Sequence, residues 1–199
     1  MSLHEEKTMR ITAIAVLVAA AICPPLTLAE PVTRVHTSYY YIDGSSATML
    51  TAQIDQAGPK DVDGNRHAGK TRWDVQWKFN HHQEGESCGI KDVTVAVGIA
   101  QIMPKWRGQD KPGGGALKAR WQKFLAAQKR HEEGHKEHGI KAGGEIEKAL
   151  LAIKPASNCE DLDKVANAAG EQVTEKYRKQ DADYDRRTDH GRKQGATLL

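Results

Sequence analysis

The residues best placed to do chemistry are His131, Glu132 and His135, which form H-E-x-x-H within Arg130-His131-Glu132-Glu133-Gly134-His135. On an α-helix, positions i and i+4 stack on one face about 6 Å apart along the axis, so two imidazoles can converge on one ion. Glu132 is turned roughly 100° from His131, where this motif uses the carboxylate beside the metal as a general base. A zinc ion held by two histidines and a third protein group, with its fourth position open, lowers the pKa of its water to about 7, and the carboxylate takes the proton. The chemistry expected is hydrolysis.

A chain with nine histidines can produce this motif by chance, so its surroundings decide. Leu117, Trp121, Phe124, Leu125, Ala142, Ile146, Leu150 and Ile153 recur at 3–4 spacing, and both histidines fall on that apolar stripe. A solvated charged helix would not aim them inward.

A third ligand is required, and the candidates are His138, His190 and a carboxylate of the last helix, Asp183 or Asp185. His138 lies about 10.5 Å along the axis from His131, whereas nitrogens sharing one zinc sit within roughly 3–3.5 Å of each other. A straight helix therefore excludes it and leaves it a packing or supporting role. His190 follows a helix that must pack on the metal helix to bury its own stripe, so we expect it as the third ligand. Asp185 is the alternative, with His36, His81 and His82 behind it. Tyr184 is a candidate to stabilise an oxyanion, weighed against a tyrosine that serves the core of a helical stripe.

The elements that must position these residues follow from the pattern of the chain. Lys7 and Arg10, the apolar run Ile11 to Cys23, and Pro24 to Ala29 have the layout of a secretory signal peptide over residues 1–29. The run is short of the about 20 residues a membrane span needs, so no stable membrane anchor is expected after cleavage. Residues 30–199 then make one domain. Its net charge stays at +3, with basic and acidic residues interspersed, which excludes a nucleic-acid stripe. Cys88 and Cys159 are left as an even pair in an exported chain and are expected to form a disulfide.

Val32 to Ile42 is rich in β-branched and aromatic residues and stops at Asp43-Gly44, which predicts a strand. Ser45 or Ser46 can cap a short helix that ends at Gly58-Pro59. Lys60 to Lys70 reads as a polar loop. Thr71 to Phe79 places Trp73, Val75, Trp77 and Phe79 on one face, and Ile90 to Met103 alternates again, so the two are expected to pair antiparallel. Ala116 to Ile153 is helical, with Gly139 and Gly143-Gly144 expected to kink or break it. Ser157 and Glu160 form a capping box for a last helix, with Leu162, Val165, Ala169, Val173, Tyr177 and Tyr184 on one face.

Several of these segments resemble, in the same order, the bacterial domain-of-unknown-function 922 family, whose members are described as predicted secreted zinc-dependent proteases of the zincin-like kind. They are Tyr39-Tyr40-Tyr41-Ile42-Asp43-Gly44, Thr71-Arg72-Trp73, Pro104-Lys105-Trp106, His131 to His135, and Tyr184-Asp185 through Thr188-Asp189-His190-Gly191. The resemblance implies a zincin-like α+β fold, with a small antiparallel sheet packed on a long metal-binding helix and a C-terminal helix. It also implies a sheet edge beside that helix able to hold an extended peptide by strand addition. The chain departs from metzincins, with His138 where they place glycine and Lys141 where they place a third histidine. A gluzincin ligand would have to be Glu171 or Glu175.

The expected function is a periplasmic or secreted zinc metallopeptidase acting on a peptide or protein substrate, with His131, His135 and His190 on Zn2+ and Glu132 as general base. The alternative is an exported zinc-stabilised binding or scaffolding module without turnover. The presence of Glu132 favours the enzyme, because a structural zinc has four protein ligands and no use for a base.

Overall fold

The computed structural model describes residues 31–112 and 114–199, so the expected signal peptide, 1–29, lies outside the described residues. The order of elements is β1 (Val32–Ile42), α1 (Ala47–Ala57), β2 (Lys70–Glu84), β3 (Ser87–Trp106), α2 (Gly115–Leu151), α3 (Cys159–Thr188) and a short 3-10 turn, Arg192–Gln194. This is an α+β arrangement. Ser46 caps α1 by accepting from the Met49 amide at 3.2 Å, and the helix buries Leu50 and Ile54.

The strands form one sheet in the order β1-β3-β2, with β2 antiparallel to β3, as expected, and β1 parallel to it. The sheet is therefore mixed, not wholly antiparallel. The chain between β1 and β3 contains a helix and a whole strand, which is ample for the crossover that a parallel pair requires. Alternation along a strand fixes which face is buried; it carries no information about the direction of its neighbour.

Helix α2 runs for 37 residues without the expected break at its glycines. Gly139 and Gly143 are points of close approach, whereas Gly144 faces open space. A Cβ on Gly139 would come within 2.7 Å of Trp73, and one on Gly143 within 2.6 Å of Val97. Each glycine costs the helix about 1 kcal/mol relative to alanine, and the contact it permits between sheet and helix offsets that cost.

Helix α3 is capped by Asn158, which accepts from the Asp161 amide at 2.9 Å, one residue later than the expected Ser157. Its buried face is Leu162, Ala166, Gly170, Val173 and Tyr177, while Val165 is 52% exposed. Continued at helical spacing, that face reaches Asp181, Tyr184 and Asp185. The Cys88–Cys159 disulfide, with Cα atoms 5.1 Å apart, ties the start of β3 to the first residue of α3, as expected.

Two apolar clusters divide the interior. One joins Trp73, Val95, Val97 and Ile99 of the sheet to Ala142, Ile146 and Leu150 of α2 and Ala166, Val173 and Tyr177 of α3. The other joins Ile42, Leu50, Ile54, Trp106 and Leu198 to Trp121 and Phe124 of α2. Helix α2 runs through both, and His131 to His135 lies between its contributions to each.

Candidate metal centre

His131, Glu132 and His135 are 2%, 2% and 6% exposed, because the face of α2 that carries them is covered by the start of β2 and the end of α3. The two Nε2 atoms lie 3.3 Å apart. Asp185 Oδ1 stands 3.1 Å from that of His131 and 3.0 Å from that of His135. Donors around a tetrahedral ion with bonds of 2.0–2.1 Å are spaced about 3.3–3.4 Å apart, so this triangle has nearly the right edges.

The outer nitrogens decide what the triangle is. His135 Nδ1 lies 3.0 Å from Asp181 Oδ1, and His131 Nδ1 lies 3.1 Å from Gln194 Oε1. Both partners are acceptors only, so each ring puts its hydrogen outward and turns the Nε2 lone pair inward. Two lone pairs and a carboxylate oxygen then converge with no hydrogen between them, a donor set that suits a cation. The residues fit a metal ion on that ground. Without one, a proton does the same work: burial pulls His135 down, but its hydrogen bonds to Asp181 and Asp185 outweigh burial and raise it to about 10. Burial likewise pushes Asp185 up, and the hydrogen bonds of His131 and His135 hold its carboxyl well below the usual range.

The third member of the triangle is Asp185, in place of the expected His190. Among the described residues, His131, His135 and Asp185 form one of three groups whose donor atoms all lie within 4.8 Å of one another, the others being His135, His138 and Asp181, and His81, Cys88 and Cys159. Helix α3 continues to Thr188, which keeps Asp185 on its inward face, and Asp189 and His190 then take left-handed backbone angles of 52° and 48° in φ. This turn leaves His190 at the mouth, 41% exposed, with Nδ1 3.4 Å from Asp185 Oδ1 and its ring 4.0 Å from that of His67.

His138 stays off the triangle, as its distance along the helix requires, and bonds instead to Asp181, whose carboxylate also accepts from the Trp73 indole. Asp181 thus holds His135 while being held by a helix and a strand. His36 is exposed on β1, and His81 and His82 pair with Asp163 and Glu84 at the end of the β2–β3 hairpin. His81 also lies near Cys88 and Cys159, but a disulfide offers no thiolate to a metal.

Glu132 sits beside the triangle, in a cavity of about 130 Å³ that both share. Its Oε2 accepts from Thr71 Oγ1 and its Oε1 from Gln128 Nε2, each at 2.7 Å. Gly69 is fitted against this carboxylate, since a Cβ there would lie 2.7 Å from Oε1. Tyr184 does not line the cavity. Its ring stacks on His131 with centroids 5.0 Å apart, and its hydroxyl accepts from Gln194 Nε2 at 3.1 Å. The expected oxyanion donor is placed as a support behind His131.

Sequence reasoning missed Gln128, Thr71, Asp181, Gln194 and His67. Two of these left a signal: Gln128 is a polar residue on the apolar stripe of α2, and Asp181 with Asp185 repeats the i, i+4 spacing of the two histidines. The loop from Lys60 to Gly69 is more than a polar connection. It delivers Gly69 to Glu132, and it delivers His67 to the cavity with its Nε2 2.9 Å from Asp61 Oδ2.

Neither a curated protein nor a solved structure matches the chain. A family profile does match, over residues 37–191, a span that holds every residue of the triangle and the Glu132 carboxylate. The chain belongs to the family described as bacterial protein of unknown function (DUF922).

Proposed function

We propose that the protein is a zinc-dependent hydrolase of peptide bonds, with His131, His135 and Asp185 as the metal-holding set and Glu132 as general base. The observation that carries this reading is the convergence of three inward-facing acceptors beside a buried carboxylate that is not one of them. Three protein donors, where a structural zinc takes four, leave a position for water and substrate. When bound, zinc supplies a Lewis acid that brings the pKa of water to about 7.

The chain's own residues do the rest. Asp181 and Gln194 fix the two rings by their outer nitrogens. Thr71 and Gln128 hold Glu132 at the cavity wall, where a carboxylate oxygen accepts a proton from the attacking water and returns it to the leaving amine. Export to the periplasm or medium is supported by the Cys88–Cys159 disulfide, since such bonds persist in oxidising compartments. No helix among the described residues is long and apolar enough to cross a membrane.

One observation favours the second reading, a metal-stabilised binding module. Both oxygens of Glu132 are tied to donors, as they would be if the carboxylate served only to join α2 to β2. Glu132→Gln separates the two readings. Zinc content by elemental analysis is expected to be unchanged, while cleavage of a peptide library falls by about 10²–10⁴. A zinc-loaded wild type that cleaves no more than the variant would leave the binding module standing.

A further inference from the structure

With Tyr184 off the metal cavity, the proposed hydrolysis has no donor assigned to the oxyanion that forms when water adds to a peptide carbonyl. The Thr71 hydroxyl and the Gln128 amide donate to Glu132. Apart from the two histidines of the triangle, the cavity side chains able to carry a positive charge are His67, Lys70 and His190. The loop ahead of β2 is built to present the first of these.

Asp61 Oδ1 accepts from the amides of Asp63 and Asn65 at 2.9 and 2.8 Å, which fixes the carboxylate, and its Oδ2 stands 2.9 Å from His67 Nε2. The backbone around His67 is fixed as well. Its amide donates to Pro59 O at 3.0 Å, and Ala68 O accepts from the Tyr40 hydroxyl at 2.8 Å. A Cβ on Gly58 would lie 2.2 Å from the His67 carbonyl oxygen, so glycine there lets the two arms of the loop close. The hydrogen bond from His67, above all, holds the Asp61 carboxyl well below the usual range, so Asp61 accepts and Nε2 carries a hydrogen. His67 Nδ1 has no partner among the described residues, and it is not one of the buried unpartnered atoms. It therefore keeps accessible surface, on a ring that lines the metal cavity. That ring packs on His190 with centroids 4.0 Å apart, and His190 Nδ1 lies 3.4 Å from Asp185 Oδ1. His67 thus stands one ring away from the oxygen that His131 and His135 share.

Resting on the peptidase reading, we infer that His67, oriented by Asp61, is a further catalytic group: its charged ring donates Nδ1–H to the oxyanion of the substrate. As the water oxygen bonds to the carbonyl carbon, the C=O π pair moves onto oxygen and Glu132 takes the proton of the water. A donor fixed beforehand meets that new charge without reorganising. It keeps its own proton. The pair then re-forms the C=O bond as the C–N bond breaks, and the proton on Glu132 goes to the leaving amine. Lys70 is less suited, because its Nζ donates to the Lys60 carbonyl, and His190 sits on the exposed turn with Nδ1 against Asp185.

The test uses the zinc-loaded protein, with zinc content measured on every sample. The probe is the phosphinic analogue of N-acetyl-alanyl-alaninamide, in which a tetrahedral P(O)(OH)CH2 group replaces the central amide and carries the negative charge of the addition product. His67→Ala is expected to bind it about 10–100-fold more weakly than wild type at equal zinc content, the loss of one charge-assisted hydrogen bond. On a peptide that wild type cleaves, the same variant should lose about 10²–10³ in kcat with KM little changed, as for an interaction made in the transition state. Asp61→Asn should shift both readouts in the same direction by less, and it decides the matter if His67→Ala does not fold. A wild type that does not bind the analogue, or a variant that binds it as tightly as wild type, overturns the inference. So does a loss of affinity confined to Lys70→Ala or His190→Ala, which moves the role to that residue. Peptides cleaved equally by wild type and His67→Ala sink the role of His67 and spare the hydrolase, whereas weakened analogue binding in His67→Ala with no cleavage by wild type does the reverse.

Discussion

Among the described residues, a pair of histidines on α2 and a pair on the β2–β3 hairpin both face carboxylates, and the two pairs differ in everything but residue type. His81 lies 2.6 Å from Asp163 and His82 lies 3.3 Å from Glu84, all with side chains open to solvent. His131 and His135 meet one oxygen of Asp185 at 3.1 and 3.0 Å with almost no exposure of either ring. On the hairpin, water satisfies whatever the partner does not, and an ion pair there contributes about 0–1 kcal/mol. On α2 water is excluded, each ring has a second partner that fixes its tautomer, and the remaining lone pairs must find a cation. A histidine–carboxylate contact thus becomes a candidate metal site through burial and a fixed outer partner, and proximity alone does not make it one.

The sharpest way to break the contrast is to remove the shared oxygen. Asp185→Ala should weaken zinc binding by more than the roughly 10–100-fold that loss of an outer partner costs, while His190→Ala should cost less than tenfold. Competition with a chelator of known affinity measures both, and the reverse order would return the third position to His190. Next in size is Asp181→Asn, which leaves the triangle intact but loosens the His135 ring, with an expected loss of about 10–100-fold in zinc affinity.

The pH dependence sharpens the comparison from the side of the proton. His135 sits at about 10 in the metal-free protein, and zinc needs its lone pair, so binding releases a proton. Zinc affinity should therefore rise about tenfold per pH unit through neutrality. A histidine raised by folding contributes stability that is fully present below its ordinary value of about 6.5 and lost as pH rises through about 10. The melting temperature of the chelated protein should accordingly fall across that window, measured against the zinc-loaded protein. The smallest effect belongs to the hairpin: His81→Ala should change stability by no more than about 0.5 kcal/mol in denaturant titration and leave zinc binding untouched.

Much of the local structure was legible because it depends on neighbours in the chain. β1 runs over the residues whose branching predicted it, and Ser46 caps α1 because a serine hydroxyl reaches the amide three residues on. His131 and His135 fall on the buried face of α2 because both belong to its apolar stripe. The α3 stripe was harder to read. Alanines and glycine lie on several faces of that helix, and Ala166 and Gly170 took the buried side because Trp77 needs the space over Gly170. The glycines of α2 misled for a related reason: in a lone helix they are weak points, and against a sheet they are where Trp73 and Val97 come close.

What the sequence determined by itself is which residues share a face of one element: the two histidines four apart, Glu132 turned aside from them, and the strand alternation of Trp73 to Phe79. It also paired Cys88 with Cys159, since they are the two cysteines that follow the expected signal segment. The tertiary structure decided which faces meet. Asp181 reaches His135 across 46 residues and Thr71 reaches Glu132 across 61, and nothing within either segment encodes the other's position. The direction of β1 and the placing of Asp185 ahead of His190 are of the same kind. Spacing along a chain sets the angle of a side chain around its own axis, whereas the distance between two axes follows from the packing of every residue between them.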